Sequence, residues 1–209
     1  MDAITIVLEF DSSEKINIDK DIWSNTRNFI DFNILIPCPE ELESQISGST
    51  EDAAIKIVKN NGIFFNLEDK NVRENIKKFI EEHKEEDFFL ERDLSDSNSQ
   101  NMESVINSVI AYQKYGYGNW YQFKLHKWGV PHNAFEFGRK RRTKNGGFYF
   151  VCGGIPNKWL EILSKKWPDV SFKMFYRMQF DHIKRNGNVF VLTYKNGKQI
   201  SRKQIERFF

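Results

Sequence analysis

The sequence has few of the features that mark secreted, membrane-spanning or disulfide-bonded proteins. Its 209 residues contain two cysteines, Cys38 and Cys152, and no apolar run of the roughly 18 residues that a membrane helix needs. The first residues, MDAITIVLEFDSSEK, include neither the basic start nor the small-residue cleavage site of a signal peptide. These absences argue against a disulfide framework and a membrane segment, and we expect a cytoplasmic protein.

The spacings typical of metal and catalytic sites are also missing. The histidines are scattered and occur in no HxH or HExxH arrangement, and they are His83, His126, His132 and His182. The stretch CGGIPNKW at 152–159 has two glycines but not the Lys-Ser/Thr pair of a phosphate-binding loop. Cys152 falls in a predicted strand, which favours a core position over a nucleophile. We therefore expect no cofactor, no metal and no enzymatic activity, with a hydrolase assembled by the fold as the enzyme alternative.

Charge is divided unevenly along the chain. Residues 1–104 contain 11 Lys/Arg and 24 Asp/Glu, whereas residues 105–209 contain 20 and 5, so the net charge of +2 conceals −13 and +15. A basic half of this kind indicates nucleic acid or another acidic partner. The alternative is that the two halves neutralise each other within one fold.

The order of predicted elements indicates an α+β fold. Alternating or β-branched segments predict strands at 3–10, 135–137, 147–152, 170–178 and 188–197. Apolar residues at helical spacing predict helices at 69–84, 102–116, 119–129 and 156–168, and shorter ones after Pro39 and Thr50. Pro37 and Pro39 are expected to block helix formation until Pro39. Asn145-Gly146 predicts a hairpin turn.

A β-α-β-β-α-β order of this kind is the ferredoxin-like sandwich. We expect one domain over residues 1–209, with an acidic helical insertion at about 43–104. A basic C-terminal tail at about 196–209 is expected to follow an added strand and to form a short helix capped by Ser201.

Several motifs, in this order, resemble those of the YubB-like ferredoxin-like domain family of plasmids and phages. They are DFNILIPCPEEL at 31–42, YGYGNWYQFKLHKWG at 115–129 followed by Asn133-Ala134, and NKWLEILSKKWPDVSFKMFY at 157–176. The matching positions are Asp31, Phe32, Asn33, Ile36, Pro37, Pro39, Trp128, Gly129, Leu163, Ser164 and Pro168. The resemblance covers most of the chain outside the acidic region and the tail. It implies a ferredoxin-like fold and a mobile-element setting, without an established activity.

Three positions depart from the pattern of that family. Pro131-His132 stands where a Lys-Trp pair is usual, and Val151 to Gly153 replace a Thr-Ala-Trp step. Arg177 replaces an acidic residue. If members of that family have a functional site at these positions, its residues are changed in this chain.

The sharpest local feature is a run of cations at the predicted hairpin tip. Five of six consecutive residues are basic, and they are Arg139, Lys140, Arg141, Arg142 and Lys144. Arg202 and Lys203 in the tail are candidates to widen the same surface, since arginine suits bidentate phosphate contacts. A solvated tip that discourages edge aggregation is the alternative interpretation. Strand alternation lets only part of the run face one flat partner.

Two classes of function follow from these patterns. The first is a non-enzymatic interaction protein of a phage or plasmid that occludes a host protein or ribonucleoprotein surface, as anti-CRISPR inhibitors do. The second is a nucleic-acid-binding protein that uses the basic half, for which salt-dependent affinity would be diagnostic.

Overall fold

The computed structural model describes residues 4–24, 29–43, 54–60, 62–83, 99–134, 147–178 and 189–205. It divides the chain into two compact units: unit 1 is Met1–Pro37 with Lys124–Phe209, and unit 2 is Cys38–Phe123. The acidic insertion predicted at about 43–104 falls within the bounds of unit 2. The predicted strand at 135–137, the Asn145-Gly146 turn and the cations at 139–144 lie outside the described residues.

The described residues form seven strands, seven α-helices and one π-helical turn. The strands are β1 (Ile4–Phe10), β2 (Trp23–Ser24), β3 (Phe29–Ile30), β4 (Phe148–Cys152), β5 (Phe172–Met178), β6 (Val189–Lys195) and β7 (Lys198–Ile205). The α-helices are α1 (Lys15–Ile22), α2 (Phe32–Leu35), α3 (Glu40–Glu43), α4 (Val72–Glu82), α5 (Ser99–Tyr115), α6 (Trp120–Trp128) and α7 (Asn157–Lys166), and the π-helical turn is Lys56–Asn60. The presence of α-helices together with an antiparallel sheet confirms the predicted α+β class.

Unit 1 is built on a five-stranded antiparallel sheet with the order β4-β1-β5-β6-β7. Alternation along the strands gives this sheet two distinct faces. On one face the rings and aliphatic chains that pack under the helices form the larger core, as Ile6, Phe150 and Met174 illustrate. Phe148 and Phe150 of the strand predicted at 147–152 also lie in this core, at 1% and 5% exposure. The opposite face has a smaller cluster centred on Val7 and Phe175.

Two helices of unit 1 contribute buried side chains to the larger core. Helix α7 presents the buried face that its spacing predicts, with Trp159, Leu160 and Leu163 turned inward. Helix α1 was not among the predicted helices, although Ile18 and Ile22 have the (i, i+4) spacing of a buried stripe and both are fully buried. Burial of each such aliphatic side chain stabilises the fold by roughly 1.5 to 3 kcal/mol.

Unit 2 has its own helical core. Helix α4 contributes Ile76 and Ile80, and α5 contributes Val105 and Val109, all four fully buried. The predictions for α4 and α5 are confirmed, and α5 begins earlier than expected, at Ser99. Among the described residues, no helix is both long and apolar enough to cross a membrane.

Two predictions about local structure were wrong. Helix α2 lies before Pro37. Proline disfavours helical backbone at the residue before it, and α2 ends at Leu35, so Ile36 and Pro37 lie outside the helix. The side chain of Asp31 caps this helix by accepting the Asn33 N–H at 3.0 Å. Ser201 does not cap a helix, since it lies within strand β7 (Lys198–Ile205), which pairs with β6; residues 206–209 lie outside the described residues.

Candidate functional site

The two structural units carry opposite net charges, although their boundaries differ from those of the two sequence halves. Unit 1 contains 22 Lys/Arg and 12 Asp/Glu, whereas unit 2 contains 9 and 17. The formal net charges are therefore +10 and −8. An anionic partner for this protein would be attracted to unit 1.

One border of the unit 1 sheet gathers cations, and we call it the basic edge. It consists of strand β7, the turn before it and the end of α7, and its exposed cations are Lys165, Lys195, Lys198, Arg202 and Lys203. None of these five forms an ion pair with a carboxylate in the part of the chain that the structure describes. The neighbouring cations differ, because Lys158 pairs with Glu161 and Lys166 pairs with Asp21. The basic edge thus carries positive charge that described carboxylates do not neutralise.

A two-residue turn shapes the basic edge. Asn196 and Gly197 adopt positive φ angles of 49° and 73°, and Lys195 pairs with Lys198 across the hairpin. Both residues tolerate this left-handed region, which matches the twist of a hairpin. The dipeptide is the same turn signal as Asn145-Gly146, so the sequence could have predicted the hairpin that brings Lys195 to the edge.

Helix α7 holds the turn against the sheet. The Gly197 N–H donates to Ser164 Oγ at 3.0 Å, and that hydroxyl donates to the Glu161 carbonyl at 3.0 Å. A Cβ at Gly197 would lie 3.1 Å from Cβ of Lys165, which is tighter than most real contacts. This close approach places Lys165 beside the turn. No sequence pattern indicates that Lys165 belongs to the edge, because its neighbours there come from β6 and β7.

Arg202 and Lys203, the two predicted site residues in the described chain, point to opposite faces of the sheet. Arg202 pairs with the buried Leu192 and its guanidinium lies 5.6 Å from the ring of Phe190. Lys203 pairs with Val191, whose side chain packs against the cluster on the other face. The two cations therefore flank the edge of the sheet and do not share one flat surface. The other predicted site residues, Arg139, Lys140, Arg141, Arg142 and Lys144, lie outside the described residues.

The base of the hairpin is held by a buried tyrosine. Tyr194 is 1% exposed, and its hydroxyl donates to Gln199 Oε1 at 3.1 Å. Burial, with the charge of Glu161 adding to it, raises the pKa of Tyr194 to about 12. The hydroxyl therefore stays a donor at neutral pH and links β6 to β7.

The motif residues behind the family resemblance meet in a second place within unit 1. Asn133 Nδ2 donates to Asp31 Oδ1 at 2.7 Å, and Asn133 Oδ1 accepts the backbone N–H groups of Phe32 and Ala134 at 2.9 and 3.0 Å. The ring of Phe32 packs at 4.9 Å from that of Trp159. Asp31, Phe32 and Ala134 are buried, Asn133 is half-buried, and the polar groups bond to each other, so the arrangement orders the core.

The Trp128-Gly129 pair completes that core. The indole Nε1 of Trp128 donates to the Ile36 carbonyl at 3.0 Å, and the side chain is fully buried. Gly129 ends α6 with a φ of 87°, and a Cβ there would lie 2.2 Å from Asn157 Oδ1. Both residues therefore have structural reasons to be present.

Cys152 and His83 each lie in a local environment that accounts for them structurally. Burial raises the pKa of the Cys152 thiol to about 11, which keeps it protonated at neutral pH. The His83 ring stacks on Phe79 at 4.1 Å, and its Nδ1 lies 2.8 Å from the Phe79 carbonyl oxygen. Within the described ranges no group of three His, Cys, Asp or Glu side chains is placed to hold a metal ion.

Comparisons with known proteins add little to this geometry. No family model matches the chain, and no curated protein does. The crystal structure of the protein api92 from Yersinia pseudotuberculosis, of the family DUF1281, is similar with a TM-score of 0.40 and 10% sequence identity. That similarity covers 100% of this chain and 99% of the other. The α+β description therefore rests on the sheet and helices given above.

Proposed function

We propose that this chain is a non-enzymatic binding protein whose basic edge docks on an anionic macromolecular surface. The observation that carries the proposal is the set of five exposed cations on one sheet border, unpaired with any described carboxylate, in a unit of net charge +10. Exposed cations that are not neutralised locally steer and orient an anionic partner.

The shape of the basic edge suits a cleft better than a plane. Arg202 and Lys203 flank the strand on opposite sides, and Lys195 and Lys198 lie at its turn. A partner that receives the edge in a groove would contact both sides at once. The fixed hairpin favours such binding, because little conformational entropy is lost on docking.

The partner that we propose first is a host protein or ribonucleoprotein, and the setting is a phage or plasmid. The motifs similar to the YubB-like family support that setting, and the strand order β4-β1-β5 supports a ferredoxin-like topology for this part of unit 1. In this proposal the protein acts in the cytoplasm of the host by occluding a functional surface, as a counter-defence inhibitor would.

Affinity capture from a bacterial lysate tests this function. Wild-type protein would be compared with Arg202→Ser/Lys203→Ser and with Lys20→Ser/Lys158→Ser, a control that removes the same charge from exposed positions of unit 1. We expect one defined partner that survives nuclease treatment, is lost with the first variant and is kept by the control. Equal recovery with both variants, or loss with both, would contradict a role for the basic edge.

Bare nucleic acid is the second candidate, and Arg202 favours it. The planar guanidinium of Arg202 lies beside the Phe190 ring, and a guanidinium can contact a phosphate through two hydrogen bonds. Binding to a labelled single-stranded RNA should then weaken steeply between about 50 and 200 mM salt. Absence of any RNA or DNA binding at low salt would eliminate this candidate and leave the first one standing.

A further inference from the structure

Strand β7 ends the unit 1 sheet, and its outer backbone edge is open. The strand order finishes at β7, and within the described part of the chain β6 is its only partner strand. In a sheet the N–H and C=O groups of alternate residues point to opposite sides of a strand, so part of the β7 backbone points away from β6. An edge of this kind is a template on which another strand can pair.

The regular part of the β7 edge is residues 201–205. They pair in continuous register with residues 189–193 of β6, and a register shift follows between Thr193 and Tyr194. The shift leaves Ile200 outside the paired positions, with its side chain 59% exposed. Because a bulge disrupts a ladder locally, an added strand would pair with residues 201–205 and not with the segment around Ile200.

The cations on this regular part match an acidic strand better than an acidic plane. Arg202 and Lys203 are exposed and project from opposite faces of the sheet, so a flat anionic surface meets only one of them. An added strand presents its own side chains to both faces. Two adjacent acidic residues in that strand would therefore each lie beside one cation, and opposite charges on neighbouring strands stabilise their pairing.

The same charges disfavour pairing of β7 with β7 of a second copy of this chain. An antiparallel pair centred on Arg202, or on Lys203, would set that cation opposite its own counterpart. Like charges directly opposite each other destabilise a sheet. The edge therefore discriminates against self-association and in favour of a strand of opposite charge.

We propose that β7 binds an extended acidic segment of a protein partner, which joins the unit 1 sheet as a further strand beside residues 201–205. Main-chain hydrogen bonds would supply affinity, and Arg202 and Lys203 would select a segment with neighbouring Asp or Glu side chains. This inference rests on the proposed function, because it takes the basic edge as the docking surface and gives the chemical class of the partner. It requires recognition of the partner's backbone, which charge attraction alone does not.

Binding of a labelled peptide to the full chain tests the inference. The probe has about seven residues, an ordinary strand length, with Glu-Asp at its centre and Thr and Val on both sides. It should bind at about 50 mM salt. The same peptide with N-methylated central residues should bind about tenfold more weakly or less, because methylation removes backbone donors and leaves the charge unchanged. Equal binding of the two peptides, or no binding of the unmethylated one, would overturn strand addition.

Protein variants and amide hydrogen exchange locate the added strand. Arg202→Ser/Lys203→Ser should weaken binding of the unmethylated peptide about five- to tenfold, whereas the control Lys20→Ser/Lys158→Ser should leave it unchanged. The peptide should also slow exchange of those amides of residues 201–205 that point away from β6. Equal effects of the two variants, or slowed exchange that spares β7, would contradict docking at this edge.

Two further outcomes separate this inference from the proposed function. A lysate partner that is lost with Arg202→Ser/Lys203→Ser, combined with equal binding of the two peptides, would remove strand addition and leave docking on the basic edge intact. Single-stranded RNA that binds the basic edge without slowing amide exchange in β7, combined with no peptide binding, would overturn the inference in favour of the second candidate function.

Discussion

The hydroxyl of Ser164 in α7 accepts the backbone N–H of Gly197 at 3.0 Å, across 33 residues of sequence. Because the same hydroxyl donates to the Glu161 carbonyl, one buried side chain ties the hairpin of the basic edge to a helix of the core. Ser164→Ala should lower the free energy of unfolding by about 1 to 2 kcal/mol, since the N–H of the half-buried Gly197 loses its acceptor. Urea denaturation measures the change.

Ser201→Ala is the control for that prediction. Ser201 lies half-buried in β7, and its replacement should change stability by less than about 0.5 kcal/mol. Equal effects of the two substitutions would mean that the Ser164 hydroxyl contributes nothing specific to the hairpin.

Replacing Asn133 by alanine or by aspartate should lower the stability of the protein. Asn133→Ala removes the acceptor for the Phe32 and Ala134 N–H groups and should destabilise unit 1 by about 2 to 3 kcal/mol. Asn133→Asp keeps the acceptor but places a second carboxylate where the amide donated to Asp31 at 2.7 Å.

The aspartate variant makes the prediction dependent on pH. Two adjacent carboxylates repel when both are ionised, so folding favours uptake of one proton. The stability of Asn133→Asp relative to wild type should therefore rise as pH falls from about 8 to about 5. Thermal unfolding at both pH values measures this difference, and a constant gap between the proteins would refute the close contact.

Gly129 and Gly116 allow conformational and steric costs to be separated. Both have positive φ, 87° and 76°, but a Cβ at Gly116 meets nothing within 4 Å, whereas one at Gly129 meets Asn157 Oδ1. Gly116→Ala should cost about 1 kcal/mol, the ordinary penalty of the left-handed region. Gly129→Ala should cost at least about 1 kcal/mol more, because Asn157 must move as well. Chemical denaturation of both variants measures the free energy of unfolding, and equal losses of stability would show that Asn157 moves at no energetic cost.

The two cysteines should differ in reactivity. Cys152 is fully buried with its pKa raised to about 11, whereas Cys38 is half-buried. An aromatic disulfide reagent at neutral pH should modify Cys38 first and Cys152 only after unfolding. The Cys38→Ser variant isolates the second thiol, and its rapid modification in the folded protein would contradict the buried position.

The same shift has a consequence for stability. Because folding raises the pKa of the Cys152 thiol from 9.0 to about 11, its contribution to stability is complete below pH 9 and is lost as pH rises toward 11. The difference in free energy of unfolding between wild type and Cys152→Ala should therefore shrink as pH rises from 9 toward 11.

Patterns local to the sequence predicted much of this protein. The apolar residues of the strand predicted at 170–178 alternate, and Phe172, Met174 and Tyr176 lie on the buried side of β5; in the helix predicted at 156–168, the spacing of Trp159, Leu160 and Leu163 marks the inner face of α7. These predictions succeeded because burial of one face imposes a period on any strand or helix. Charge counts likewise predicted two parts of opposite sign, with boundaries that the structure moved.

Tertiary structure decided the elements whose partners are distant. Residues 198–205 suit a short helix locally, but the Asn196-Gly197 turn offers them a ladder of hydrogen bonds with β6, and a strand results. That pairing places Arg202 and Lys203 on opposite faces of the sheet. A helix prediction for the segment does not indicate this placement. Asp31 and Asn133 are 102 residues apart, and only the closed fold brings amide and carboxylate together. The sequence by itself therefore determined composition, charge and periodicity, whereas the surfaces of the basic edge depended on contacts between remote segments.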